Sequence, residues 1–163
     1  VPNLKKIYTG LLGAKFEKDK SGYFKIAEIL QGENWNSEHR SPLTDESVNA
    51  HKGDYILAIN GVDTKQVDDI YKLLVAKANT LIDITISKTP DGKGKHIAIV
   101  KPLADEASLY YFNWVQNNIK KVDKLSNGQI GYIHIPDMVT EGLNEFVRYF
   151  YPQLDKRALI IDD

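Results

Sequence analysis

Along residues 81–87 apolar and polar positions alternate, Ile82, Ile84 and Ile86 against Asp83 and Thr85, the pattern of a strand buried on one face. Pro90-Asp91-Gly92 interrupts it, and the alternation resumes over 96–100. The two segments are predicted to pair as a hairpin with a Gly- and Lys-rich tip. Upstream, the strand-like runs 11–17 and 23–30 are joined by Lys18-Asp19-Lys20-Ser21-Gly22, short enough for a second hairpin. Residues 55–59 are almost wholly apolar, as a central strand covered on both faces is, and Asn60-Gly61 supplies the positive backbone angles of a tight reversal. Between them, 31–52 is polar and turn-rich, with Gly32, Asn34, Asn36 and Ser41-Pro42, and is predicted to be a long surface loop with one helical turn. A helix is predicted over 68–78. Val67, Ile70, Leu73, Leu74 and Ala78 recur at helical spacing, and Asp68 and Asp69 sit in the first turn, where the helix dipole favours negative charge. Lys101-Pro102 closes a module of five or six short strands and one main helix, a small, partly open barrel.

Beyond it the period changes. Ala107, Tyr111, Val115, Ile119 and Val122 form a slowly drifting stripe, predicting a helix over 105–125 with Lys120, Lys121 and Lys124 near its end and Asn127-Gly128 as its stop. Residues 129–135 read as an apolar strand. Thr140 can cap a second helix carrying Leu143, Phe146, Val147 and Phe150, which Pro152 keeps from running on. Residues 157–163 make a final apolar strand. Strand, helix and strand predict a parallel crossover unit, and a parallel sheet needs cover on both faces. Two strands do not provide it, so the unit is expected to be incomplete.

Charge and composition mainly exclude. Lys+Arg of 21 against Asp+Glu of 22 gives a formal charge of -1 with interspersed signs, so nucleic-acid binding is not expected. No stretch approaches the roughly 20 apolar residues of a membrane helix, and Val1-Pro2-Asn3-Leu4-Lys5-Lys6 has no apolar signal region. The first residue is not Met, which favours a piece cut from a longer chain. Without cysteine there is no disulfide frame, thiol nucleophile or cysteine-rich zinc site, and no cofactor or metal is expected. No nucleophile elbow, His-Glu-x-x-His helix, Walker loop or dinucleotide glycine fingerprint occurs.

The stretch Gly53-Asp54-Tyr55-Ile56-Leu57-Ala58-Ile59-Asn60-Gly61 closely resembles the PDZ signature, and Ser41-Pro42 fits the same pattern. The carboxylate-binding loop of that family is Gly-Φ-Gly-Φ, Φ being apolar. Its matching positions here are Leu11, Leu12, Gly13 and Ala14, which lack the first glycine and end on a small residue. The resemblance implies that a peptide adds as a strand beside residues 14–16 and packs on the helix carrying Ile70, Leu73 and Leu74. The candidate substrate-binding residues are therefore Leu11, Leu12, Gly13, Ala14, Phe16, Ile70, Leu73 and Leu74. Because the loop departs from the pattern, groove binding is expected to be weak or occluded.

The second segment, with Gly131-Tyr132-Ile133-His134-Ile135-Pro136-Asp137-Met138, then Gly142-Leu143-Asn144-Glu145-Phe146 and Leu159-Ile160-Ile161-Asp162, resembles the core domain of tricorn-type serine proteases. The resemblance implies a mixed α and β fold. Residues 1–102 would be the PDZ-like barrel, and 103–163 a helix and an incomplete β-α-β unit of the α/β protease core. It also implies that a Ser-His pair precedes the PDZ module and that the nucleophilic Ser and a Glu follow the last strand. No catalytic residue is then assigned to this chain, which is expected to be inactive alone. The implied partners are a peptide or protein substrate and the rest of the parent protease, a homo-oligomer when full-length; cytoplasm and periplasm both remain open. The alternatives are a non-enzymatic PDZ adaptor and a fragment of a C-terminal processing peptidase, which uses a Ser-Lys pair.

Single residues fit bland roles. His134 reads as a structural hydrogen-bonding histidine rather than a cleft residue, and His39, His51 and His96 as surface histidines. Asp137-Met138 reads as a strand-to-helix turn, with an oxyanion role as the alternative. Asp162 and Asp163 read as solvated or loop-capping carboxylates, and Trp35, Trp114 and Tyr110-Tyr111-Phe112 as packing residues.

Overall fold

A computed structural model describes residues 6–33, 35–36 and 39–163; Asn34 and the first five residues, on which parts of the sequence reading fall, lie outside them. The chain divides into two compact units, Val1–Tyr110 and Tyr111–Asp163.

In the first unit, β1 (Ala14–Lys18), β2 (Phe24–Ile29), β3 (Tyr55–Ile59), β5 (Ile82–Ser87) and β6 (His96–Val100) form an antiparallel sheet in that order, with the two-residue β4 (Val62–Asp63) pairing β3. Alternation set the buried face. Ile82, Ile84 and Ile86 are sealed in the core, while Asp83 and Thr85 are half-buried on the other side. They join Leu12, Ala14, Ile26, Ile56, Ile59, Ile70, Leu74 and Val100 in one cluster. Burying each large aliphatic side chain is worth about 1.5–3 kcal/mol. Leu43 and Val48 reach the same cluster from the predicted surface loop, whose helical turn is a 3-10 helix at Pro42–Thr44.

The turn residues behave as their chemistry requires. Gly53 has φ +97°, and its amide bonds the Ile26 carbonyl at 2.8 Å. The buried Asp54 carboxylate accepts from the His51 amide at 2.9 Å. Asn60 and Gly61 take φ 47° and 75°, turning β3 into β4.

Three expectations change. The N-cap of the second predicted helix is Val139, and Thr140, expected to cap it, is its first helical residue. The helix predicted over 68–78 is a five-residue 3-10 helix, Ile70–Leu74. Asp69 starts it late, its carboxylate accepting from the Tyr71 amide at 2.9 Å. At the other end the Leu74 carbonyl is taken by the Gly10 amide at 2.8 Å, and Ala76 turns to φ 60°. Trp35, expected to pack, is 80% exposed.

Helix α1 (Ala107–Leu125) stops at Asn127 and Gly128, both at positive φ, with the Gly128 amide bonded to the Asp123 carbonyl at 2.8 Å. In the second unit β7 (Ile130–His134) and β8 (Ala158–Asp162) pair in parallel, Tyr132 against Ile160, with α2 (Thr140–Phe150) between them in the chain. The mixed α and β class read from the sequence holds.

Candidate functional site

The groove expected to take a peptide lies in the first unit, between the edge strand β1 and the 3-10 helix Ile70–Leu74. Gly13 opens the strand. Its φ of +66° suits glycine, and a Cβ there would run into Ser41, Pro42 and Leu109. Ser41, fully buried, donates from its hydroxyl to the Leu30 carbonyl, and the Leu30 amide returns to the Gly13 carbonyl at 2.8 Å. The turn is thereby braced on both sides.

Three amides in and beside the carboxylate loop already have acceptors. Gly10 donates to the Leu74 carbonyl at 2.8 Å, and Leu11 to the Leu103 carbonyl at 2.9 Å. The Gly13 amide donates to the Glu106 carboxylate at 3.1 Å, from 93 residues away in sequence. Glu106 is 8% exposed. Burial pushes its carboxyl above the ordinary value, against the Gly13 amide, which favours the anion, while the Asp105 charge pushes the same way as burial.

Beside the loop, the Tyr71 hydroxyl donates to the Ala14 carbonyl at 3.5 Å, and its ring meets Phe16 edge-on with centroids 6.4 Å apart. Burial, then the Glu106 charge, push the Tyr71 phenol up to about 12, so it is a neutral donor at physiological pH.

Of the eight sequence candidates, Leu12, Gly13, Ala14, Ile70 and Leu74 are buried, and four of these side chains belong to the core cluster. Leu11, Phe16 and Leu73 remain half-exposed. Sequence reasoning missed Tyr71 and Glu106. Tyr71 sits between predicted core positions, and Glu106 lies at the start of the predicted helix with no motif to single it out.

The second unit gathers its polar residues at the carboxyl ends of β7 and β8. His134 Nδ1 lies 3.0 Å from the Asp162 carbonyl, and Trp114 meets the imidazole edge-on at 4.8 Å between centroids. Asn118 donates to the Tyr132 hydroxyl at 3.1 Å, and that hydroxyl donates to the Asp162 carboxylate. Burial and this carboxylate raise the Tyr132 phenol. Asp137 accepts from the amides of Val139 and Gly142 at 2.9 Å each, capping α2; a Cβ at Gly142 would overlap the Asp137 carbonyl. Gln153 was also missed. Its amide takes the Tyr132 amide at 3.0 Å and donates to the carbonyls of Tyr132 at 3.1 Å and Tyr149 at 2.7 Å, continuing the ladder of β7 with a side chain. Among the described residues no group of three or more His, Cys, Asp or Glu side chains is placed to hold a metal ion.

Residues 10–105 match the model of the tricorn protease PDZ domain. The chain belongs to that family. It is 41% identical over 154 residues, 94% of its length, to a tricorn protease homolog of Saccharolobus solfataricus, and 35% identical over 145 residues, 89% of its length, to the tricorn protease of Thermoplasma volcanium. It spans 14% of the length of each. Among solved structures it matches a crystal structure of the tricorn protease with TM-score 0.82 and 32% identity, over 96% of this chain and 15% of that one.

Proposed function

We propose that this chain is a segment of a tricorn-like serine peptidase, with a PDZ module at 1–102 and the start of the α/β core domain at 103–163. The nucleophilic Ser, the His and the Glu lie elsewhere in the parent chain, and the segment supports the enzyme and orients peptide substrates. The observation that carries this is the 41% identity running through 94% of the chain, past the PDZ module into the β-α-β unit. The second unit also weighs against a freestanding adaptor, since Leu143, Val147, Ile160 and Ile161 are exposed on it. The partners are a peptide or protein substrate and the remainder of the parent protease, a homo-oligomer. No cofactor, metal, nucleic acid or membrane insertion enters.

The test compares the 163-residue chain with its full-length parent on fluorogenic peptides, with and without a serine-directed covalent inhibitor. The parent is expected to cleave and to be silenced by the inhibitor, and the chain alone to do neither. A parent that shows no inhibitor-sensitive cleavage, or a chain that hydrolyses by itself, overturns the assignment.

A further inference from the structure

We propose that Glu106 is the resident ligand of the carboxylate loop: its side chain holds the Gly13 amide and keeps free peptide C-termini out of the groove. The inference deepens the reading of this groove as a peptide site and rests on it.

Three observations converge. The amides of Gly10, Leu11 and Gly13 are all bonded within the unit, and the Gly13 acceptor is a carboxylate, the group that a peptide C-terminus would offer. The Glu106 carboxylate is delivered by a short tether, because Leu11 and Leu103 exchange hydrogen bonds at 2.9 and 2.8 Å three residues before it. An outside carboxylate therefore competes with one held at an effective concentration on the order of mM or more. It also meets like charge, and two carboxylates at one site disfavour each other's ionised forms.

One acceptor on the strand edge is also engaged, by a long hydrogen bond. β1 is the sheet's edge, with β2 on one side only. A peptide joining that edge needs backbone carbonyls, and the Ala14 carbonyl already accepts from Tyr71. The 3-10 helix brings Tyr71 to this position.

The experiment uses the full 163-residue chain as wild type, Glu106→Gln and Glu106→Ala. The probes are two fluorescein-labelled heptapeptide pools of random sequence, one with free C-terminal carboxylates and one amidated, read by fluorescence anisotropy. Wild type is expected to treat the pools alike. Glu106→Ala is expected to bind the free-carboxylate pool at least about ten-fold more tightly than the amidated one, the scale on which losing a tethered competitor acts. Glu106→Gln keeps the shape without the charge and is expected to fall between. If Glu106→Ala does not fold by circular dichroism, Glu106→Gln decides: a preference for the free-carboxylate pool that wild type lacks supports the proposal, and none overturns it.

Wild type preferring free carboxylates as strongly as the variants overturns the proposal while leaving the peptide groove standing. No preference in any folded variant overturns both. Neither result touches the peptidase assignment, which the parent's hydrolysis tests separately.

Discussion

Replacing Gly13 by Ala tests how tightly the loop is built. Gly13 sits at φ +66°, where a residue with a Cβ costs about 1–2 kcal/mol. The added carbon would lie 2.7 Å from Ser41 Oγ, 3.0 Å from Pro42 Cδ and 3.2 Å from Leu109 Cδ1. Ser41 cannot yield easily, because its hydroxyl is committed to the Leu30 carbonyl. Overpacking at such a site costs about 1–3 kcal/mol, so the whole loss is about 2–5 kcal/mol. Gly61→Ala is the control. Gly61 has φ +75° with nothing within 4 Å of a Cβ, so only the conformational part, about 1–2 kcal/mol, is expected there. Native-state hydrogen exchange at the Ile56 and Ile84 amides reads the first unit without interference from the second. If Gly13→Ala costs no more than Gly61→Ala, the close packing around the loop is refuted.

Ile84→Ala, at a fully buried position, is expected to lose about 2–5 kcal/mol by the same exchange measurement. Gly142→Ala is expected to destabilise α2 and the second unit by more than the roughly 1 kcal/mol gain in helix propensity can offset, seen as faster exchange at the Tyr132 and Ile133 amides. Glu106 predicts a pH dependence. Its folded carboxyl titrates above the ordinary 4.5, so the native state keeps the proton longer than the unfolded chain. The stability it contributes is full below 4.5 and lost as pH rises through the folded value. The titratable groups facing it are Asp105, Tyr71 and, beside Tyr71, Tyr110. Glu106→Gln should therefore flatten the fall in urea stability that sets in as pH rises above 4.5; an unchanged profile would contradict the burial of this charge.

The sheet was legible because its information is local. Alternation over 82–86 and the Asn60-Gly61 turn each act within a few residues, and β7-α2-β8 announced itself by a change of period. The helix over 68–78 was overdrawn because its end is set from outside. Leu74 gives its carbonyl to Gly10, and the backbone reverses at Ala76, a residue that carries no turn signal. The site was less legible than the fold. Ile70 and Leu74 have the spacing of groove residues and of core residues alike, and both are buried in the core cluster. Glu106 meets Gly13 across 93 residues, a pairing that no window along the chain displays.

The most direct measurement is the proton NMR shift of the Gly13 amide, followed through a pH titration in the unmodified chain and in Glu106→Gln. The account predicts a downfield amide that follows the Glu106 carboxyl titration and loses that pH response in the variant. An amide that ignores both pH and the substitution would mean that the loop is open and that Glu106 does not fill it.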